Sequence, residues 1–110
     1  MRNSLILEKQ LKYIEKIQTY VSGLDVEHFS ANTMLHEACV FCISQIGELV
    51  GDLDDDFKEQ HSEIPWAQIA GLRHHIVHDY EGIILERIWD TIENSLPELK
   101  EQLVKILTDI

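Results

Sequence analysis

The feature that most constrains the fold is a heptad pattern of apolar residues in the middle of the chain. Six side chains recur at intervals of four, three, four, three and four residues: Leu35, Cys39, Cys42, Ile46, Leu49 and Leu53. This spacing places all six on one side of an α-helix and is typical of the seam between antiparallel helices. We therefore predict a helix over Thr33–Leu53, with Asn32 or Thr33 as its N-cap.

The rest of the chain carries the same helical periodicity of apolar residues. Further helices are predicted over about residues 5–21, 65–80 and 84–96, and a capping box at Ser95-Leu96-Pro97-Glu98 is expected to start a last helix that runs to the end of the chain. Gly23 and Asp25 interrupt the first of these, and Asp52–Glu63 is expected to be an acidic, irregular loop. The sequence thus predicts an all-α fold, an antiparallel bundle of four or five helices, in one domain over residues 1–110.

The charge balance limits the partners of such a bundle. Twenty acidic residues against nine Lys and Arg give a net charge of −11 at pH 7. Non-specific binding of nucleic acid relies on basic surface, and the cations are spread along this sequence without a cluster. We expect any contact with RNA to be local, or to be assisted by a basic partner or a second protomer.

Membrane insertion and secretion are not expected. The longest apolar run, Ala38 to Ile43, is far shorter than the roughly 20 residues that span a bilayer. The N-terminal segment contains Glu8, Lys9 and Lys12 instead of a signal-peptide core. We expect a cytoplasmic protein.

Cys39 and Cys42 form a C-x-x-C pair inside the heptad helix. A redox pair of the thioredoxin type begins a helix that follows a strand, and no strand is predicted before this one. Both cysteines also occupy heptad positions that face the core. We expect two reduced, buried thiols.

The unusual chemistry of the chain is concentrated in residues 73–80, which read Arg-His-His-Ile-Val-His-Asp-Tyr. On a helical wheel Arg73 lies within the apolar arc of its own helix, whereas His74 and His78 lie opposite, beside Gly71. An arginine remains charged and is costly to bury alone, so Arg73 must reach a carboxylate, a cleft or a ligand. A histidine that titrates near neutrality can transfer protons, and a guanidinium suits phosphate.

Three simpler interpretations remain open for these residues. The histidines can be ordinary solvated surface near a helix end, and Arg73 can form a structural bridge with Glu48. His74 and His78 are spaced i, i+4 as zinc ligands often are, but no H-E-x-x-H pattern accompanies them. The residue chemistry alone favours an acid–base site that acts on phosphate only slightly over these three interpretations.

The arrangement Arg73, four residues, His78, one residue, Tyr80 resembles the R-x4-6-H-x-Y signature of the HEPN superfamily. Its surroundings, from Ile64-Pro65-Trp66 to His78-Asp79-Tyr80, together with Ile46-Gly47-Glu48 in the preceding helix, look like the HepT branch. The residue after the signature arginine is often asparagine in this superfamily, whereas here it is His74. The resemblance extends over nearly the whole chain in length and helix order.

The resemblance implies the toxin of a toxin–antitoxin pair: a homodimeric, metal-independent ribonuclease without cofactor, whose site lies between two protomers. Arg73 would stabilise charge on the phosphorus centre, and His78 would act as general acid or base. A minimal nucleotidyltransferase antitoxin would attach AMP to Tyr80, and three residues would support the site: His74, Asp79 and Glu48. The alternative is a non-catalytic helical subunit that presents substrate to a nucleotidyltransferase.

Overall fold

The computed structural model describes residues 2–78 and 85–109, except for the side chains of residues 74–78. All regular structure in these ranges is helical: α1 (Arg2–Tyr20), α2 (Val26–Ala31), α3 (Thr33–Val50), α4 (Asp55–Gln60), α5 (Trp66–His78), α6 (Leu85–Asp90), a π-helical segment (Thr91–Ser95) and α7 (Leu96–Asp109). The helices form an antiparallel bundle, and the predicted all-α class is confirmed. Within the described ranges, no helix is both long enough and apolar enough to cross a membrane.

Helix α3 is the central element, packed between α1 and α5. Four of the six heptad residues are buried and the other two, Leu35 and Leu49, are partly buried. The buried face is wider than a heptad seam, because Val40, Ile43 and Val50 are also buried. A helix in contact with neighbours on two sides needs such a broad apolar face.

Helix α1 runs antiparallel to α3, and polar contacts set its position. At its N-terminus, Arg2 forms an ion pair with Asp54 at 2.9 Å. Near the middle of α1, the fully buried Gln10 donates from Nε2 to the Ile46 carbonyl oxygen at 3.0 Å. The amide of Gln10 thus joins two helices at a position where an apolar side chain would be expected.

Local capping signals begin α2 and α3, although the sequence analysis predicted no helix for α2. Gly23 ends the turn after α1 with a φ of 77°, a conformation that favours glycine. Asp25 caps α2 by accepting a hydrogen bond from the His28 amide at 2.9 Å, and Asn32 caps α3 by accepting from the Leu35 amide at 3.0 Å. Of the two caps predicted for α3, Asn32 is therefore the correct one.

The acidic segment after α3 is not wholly irregular, so that prediction was wrong in part. Residues 55–60 form α4. The reason is Phe57, which is buried with its ring centroid 4.6 Å from that of His61 and 6.3 Å from that of Trp66. The burial of Phe57 therefore stabilises the short helix α4, although the carboxylates around it are exposed to solvent.

The predicted restart of the chain at Ser95–Glu98 is wrong in part: α7 begins at Leu96 as predicted, but no break precedes it. Helix α6 continues through the π-helical segment into α7 without a break, and the Leu96 amide donates to the carbonyl oxygen of Thr91, five residues back. Pro97 has no amide hydrogen and its ring crowds the preceding turn. A π-helical turn relieves this conflict while keeping Ile92, Leu96 and Leu99 buried.

Candidate active site at the crossing of α3 and α5

Gly47 sets the distance between α3 and α5. A Cβ atom placed on Gly47 would lie 2.8 Å from the backbone oxygen of Ile69 and 3.1 Å from the Cβ of Arg73. Two helix backbones come this close only where a residue has no side chain. Gly47 therefore permits the close approach of α5, and this approach places Arg73 beside the next residue of α3.

That next residue is Glu48, and its carboxylate forms an ion pair with Arg73 through Oε2 and Nε. The side chains of Arg73 and Glu48 are 51% and 52% exposed. Arg73 therefore leaves the apolar arc of α5 and reaches the surface, where it finds a carboxylate as the sequence argument required. The Glu48 bridge considered from the sequence is present, and both of its members face solvent.

The exposure of this pair determines what it can do chemically. Ion pairs at the surface typically contribute only about 0–1 kcal/mol, because water screens them. Because the contact with Glu48 uses Nε, the two terminal nitrogens of the guanidinium can together bind a phosphate through two hydrogen bonds. Glu48 can thus hold Arg73 in place without preventing an anion from binding it.

The HepT-like ribonuclease family matches residues 10–106 of the chain. This chain belongs to that family. The match includes α3, α5 and the contact between Arg73 and Glu48.

Individual relatives support the assignment over most of the chain. A protein of Caldanaerobacter subterraneus subsp. tengcongensis, provisionally named as an RNase, is 39% identical over 101 residues, which cover 92% of this chain and 90% of the relative. A relative from Methanocaldococcus jannaschii, also provisionally named as an RNase, is 32% identical over 91% of this chain and 83% of its own length. One from Thermococcus cleftensis, provisionally named ribonuclease HepT, is 30% identical over 91% of both chains. No solved structure matches this chain significantly.

The structure describes only part of the HepT-type signature in this chain. The backbones of His74 and His78 belong to α5, so His78 follows Arg73 by about 7.5 Å of rise and about 140° of rotation. The side chains of His74 and His78, and the whole of Asp79 and Tyr80, lie outside the described residues. Arg73 and Glu48 are therefore the two predicted site residues that the structure brings together.

The cysteine pair takes no part in the contact between Arg73 and Glu48. Cys39 and Cys42 are free thiols in the core. Burial raises the pKa of Cys39 to about 12 and also raises the pKa of Cys42, so neither is a reactive thiolate near neutral pH. Among the described residues, no three His, Cys, Asp or Glu side chains are grouped as metal ligands.

Sequence reasoning missed one group of exposed residues. Lys9, Lys12 and Lys16 are all exposed on α1, and their i, i+3, i+7 spacing was the available signal. In the linear sequence these lysines alternate with acidic residues such as Glu8 and Glu15, so no basic cluster is visible. The lysines lie on a common side only once the helix is formed.

Proposed function

We propose that this HepT-like chain is an endoribonuclease that needs no metal ion and serves as the toxin of a toxin–antitoxin pair in the cytoplasm. The observation that supports this most directly is the surface ion pair of Arg73 with Glu48. It presents a permanently charged guanidinium at the head of the Arg-x4-His-x-Tyr segment. Family membership supplies the reaction class, and the relatives named as RNases supply the substrate.

In the proposed reaction, the 2′-hydroxyl of RNA attacks the neighbouring phosphorus. The bond from phosphorus to the 5′-oxygen breaks, and the products are a 2′,3′-cyclic phosphate and a 5′-hydroxyl. One proton leaves the 2′-oxygen and one reaches the departing 5′-oxygen, and His78 carries out one of these transfers. Arg73 stabilises the extra negative charge on the phosphorus centre, with Glu48 as its positioning residue and His74 and Asp79 as supporting polar groups.

We propose that the working unit is a homodimer. Arg73 and His78 differ by about 140° around a straight helix, so their backbone positions lie on different sides of α5, which favours a site that a second chain completes. A Cβ placed on Gly71 meets no atom within 4 Å in the described structure. We infer that a second copy of α5 approaches there, so that residues of two protomers complete one cleft.

We propose that a minimal nucleotidyltransferase is the antitoxin and that it attaches AMP to Tyr80. Tyr80 follows His78 by two residues, so a group attached there would lie close to the reacting phosphate. An added phosphate group carries negative charge, which repels RNA. Modification of one tyrosine would thus be sufficient to stop cleavage.

The deciding experiment is cleavage of tRNA and total RNA by the purified chain in EDTA. We expect products with 2′,3′-cyclic phosphate ends. Arg73→Ala and His78→Ala should each lower the rate by about 100-fold or more. Arg87→Ala, which removes an exposed cation of α6, is the matched control and should cleave normally.

Contaminating nucleases and misfolding are excluded by identical purification and by circular dichroism of every variant. Cleavage that persists in His78→Ala would remove that residue from the mechanism. If the folded, unmodified chain cuts no RNA, the alternative of a non-catalytic nucleotidyltransferase subunit gains support, since an acidic surface suits a protein partner better than RNA.

A further inference from the structure

One face of α1 is basic and aromatic, although the chain as a whole is strongly acidic. Counting 100° per residue from Arg2, an arc of about 100° contains seven residues: Arg2, Leu5, Lys9, Lys12, Tyr13, Lys16 and Tyr20. We call this set the basic face of α1. It contains four of the nine Lys and Arg of the chain and none of the twenty Asp and Glu. The cations are therefore less evenly spread than the sequence suggested.

The three lysines of the basic face are free to bind an external anion. Lys9, Lys12 and Lys16 are exposed, and within the described part of the chain no carboxylate lies within 4.0 Å of their amines. Arg2 differs, because Asp54 neutralises it. The available positive charge is therefore concentrated between Lys9 and Lys16, over about 10 Å of helix.

Aromatic rings lie beside these lysines. The Lys16 amine stands 5.6 Å from the centre of the Tyr13 ring, and Tyr13 contacts Phe41 of α3 edge to face with centroids 6.4 Å apart. Phe41 is 56% exposed, which is unusual for so large an apolar side chain. Lysines bind phosphates as point charges, and an exposed ring such as that of Phe41 can stack on a base, which is the combination found in sites for single-stranded nucleic acid.

The aromatic pair also connects the basic face to Arg73. On α3, exposed Phe41 and exposed Glu48 are seven residues apart, so they lie on the same side of the helix about 10.5 Å from each other. Partly exposed Gln45 lies between them. Since α3 is packed between α1 and α5, this strip forms a surface path from the lysines to the guanidinium that Glu48 holds.

We propose that the basic face of α1, together with Phe41, binds single-stranded RNA and leads it across α3 to Arg73. In this proposal Lys9, Lys12 and Lys16 bind phosphates, and Phe41, which Tyr13 supports from the side, stacks on a base. The proposal rests on the ribonuclease function above and adds a binding surface outside the signature motif. It also explains how a chain of net charge −11 binds RNA, because one face of one helix has the opposite charge.

The test compares two triple variants that each remove three positive charges. Lys9→Gln/Lys12→Gln/Lys16→Gln alters the basic face, whereas Lys58→Gln/Arg87→Gln/Lys105→Gln is the matched control from other elements. Both are made in the His78→Ala background so that the RNA is not cut. Binding of a fluorescent single-stranded oligoribonucleotide is measured by anisotropy from 50 to 300 mM salt.

We expect the Kd of the basic-face variant to rise at least about tenfold at low salt. The slope of log K against log salt should become shallower by about 2, because three phosphate contacts on a single strand contribute roughly 0.7 each. The control should bind with almost the slope of the parent. Phe41→Ala should weaken binding by about fivefold or more while leaving the salt slope unchanged, because stacking is not ionic.

Equal Kd values and slopes for the two triple variants would overturn the proposal. It would also be overturned if the basic-face variant lost self-association in sedimentation, since the face would then be a contact between copies. The ribonuclease function is tested separately by the wild-type chain: if that chain cleaves RNA, a negative result here concerns the basic face alone. If it neither binds nor cleaves RNA, the function itself is wrong.

Discussion

At the scale of single residues, the absence of one side chain positions the candidate site. Gly47 allows the backbone of α5 to approach α3, and Arg73 lies at that crossing. The neighbouring contacts are with backbone oxygen and a Cβ, which cannot rotate away as the end of a flexible side chain can. The requirement for glycine is thus steric, and it is independent of any role in chemistry.

We expect Gly47→Ala to destabilise the protein by about 1–3 kcal/mol, because the added methyl group overpacks the crossing. The melting temperature should fall by at least about 4 °C. Gly51→Ala is the control: Gly51 has an ordinary helical φ of −64° and its added Cβ would meet only the Glu48 oxygen, at 3.4 Å. It should be neutral or slightly stabilising, and an equal loss in both variants would contradict this account.

The two cysteines allow a second test at this scale. Because burial raises the pKa of Cys39 to about 12 and that of Cys42 above its ordinary value, both remain neutral thiols in the folded protein at pH 8. We expect a disulfide reagent such as DTNB to react with fewer than about a tenth of them in native protein over minutes, and with both in urea. Rapid reaction without urea would show that the core around α3 opens.

At the scale of helices, the sequence predicted most of the bundle, because its signals were local. The heptad, the Asn32 cap and the glycine turn at Gly23 all depend on residues near one another in the chain. The ion pair between Arg73 and Glu48 was only one of several interpretations of the sequence, because it joins residues 25 positions apart. Whether two helices cross at a given turn depends on packing that no local pattern contains.

The errors at this scale have the same origin. Helix α4 was missed because a high density of carboxylates concealed the single buried aromatic Phe57. The π-helical segment was missed because Ser95-Leu96-Pro97-Glu98 has the composition of a helix start, although packing of Leu96 and Leu99 keeps the helix continuous. In each case burial of one or two side chains outweighed the local preference.

The Asn32 cap can be tested directly, because an isosteric acid provides the control. Asn32→Ala removes the acceptor for the Leu35 amide and should cost about 1 kcal/mol of unfolding free energy, measured in urea. Asn32→Asp keeps an oxygen at the same place and should retain most of that stability. If the alanine variant were as stable as the aspartate variant, the hydrogen bond would not stabilise the start of α3.

At the scale of the whole molecule, the geometry of α5 bears on how many chains make one site. About 140° of rotation separates Arg73 from His78 on a straight helix. A homodimer with twofold symmetry provides two equivalent clefts, and each can combine Arg73 of one protomer with His78 of the other. Mixing two inactive variants distinguishes this arrangement from a site within one chain.

We expect Arg73→Ala and His78→Ala, each inactive alone, to recover about a quarter of wild-type activity when they are unfolded together and refolded at equal amounts. Random pairing makes about half of the dimers mixed, and each mixed dimer contains one intact cleft of two. Refolding each variant separately before mixing is the control, and activity should then return only as fast as subunits exchange. If mixed dimers form, as a tag on one variant can establish, and yet no activity returns, each phosphate must be served by Arg73 and His78 of the same chain, or by all four residues at once.

The doubly substituted chain mixed with wild type separates these two cases. If each chain serves its own phosphate, a mixed dimer keeps half of its activity, because the wild-type chain is complete. If all four residues are required, every mixed dimer is inactive.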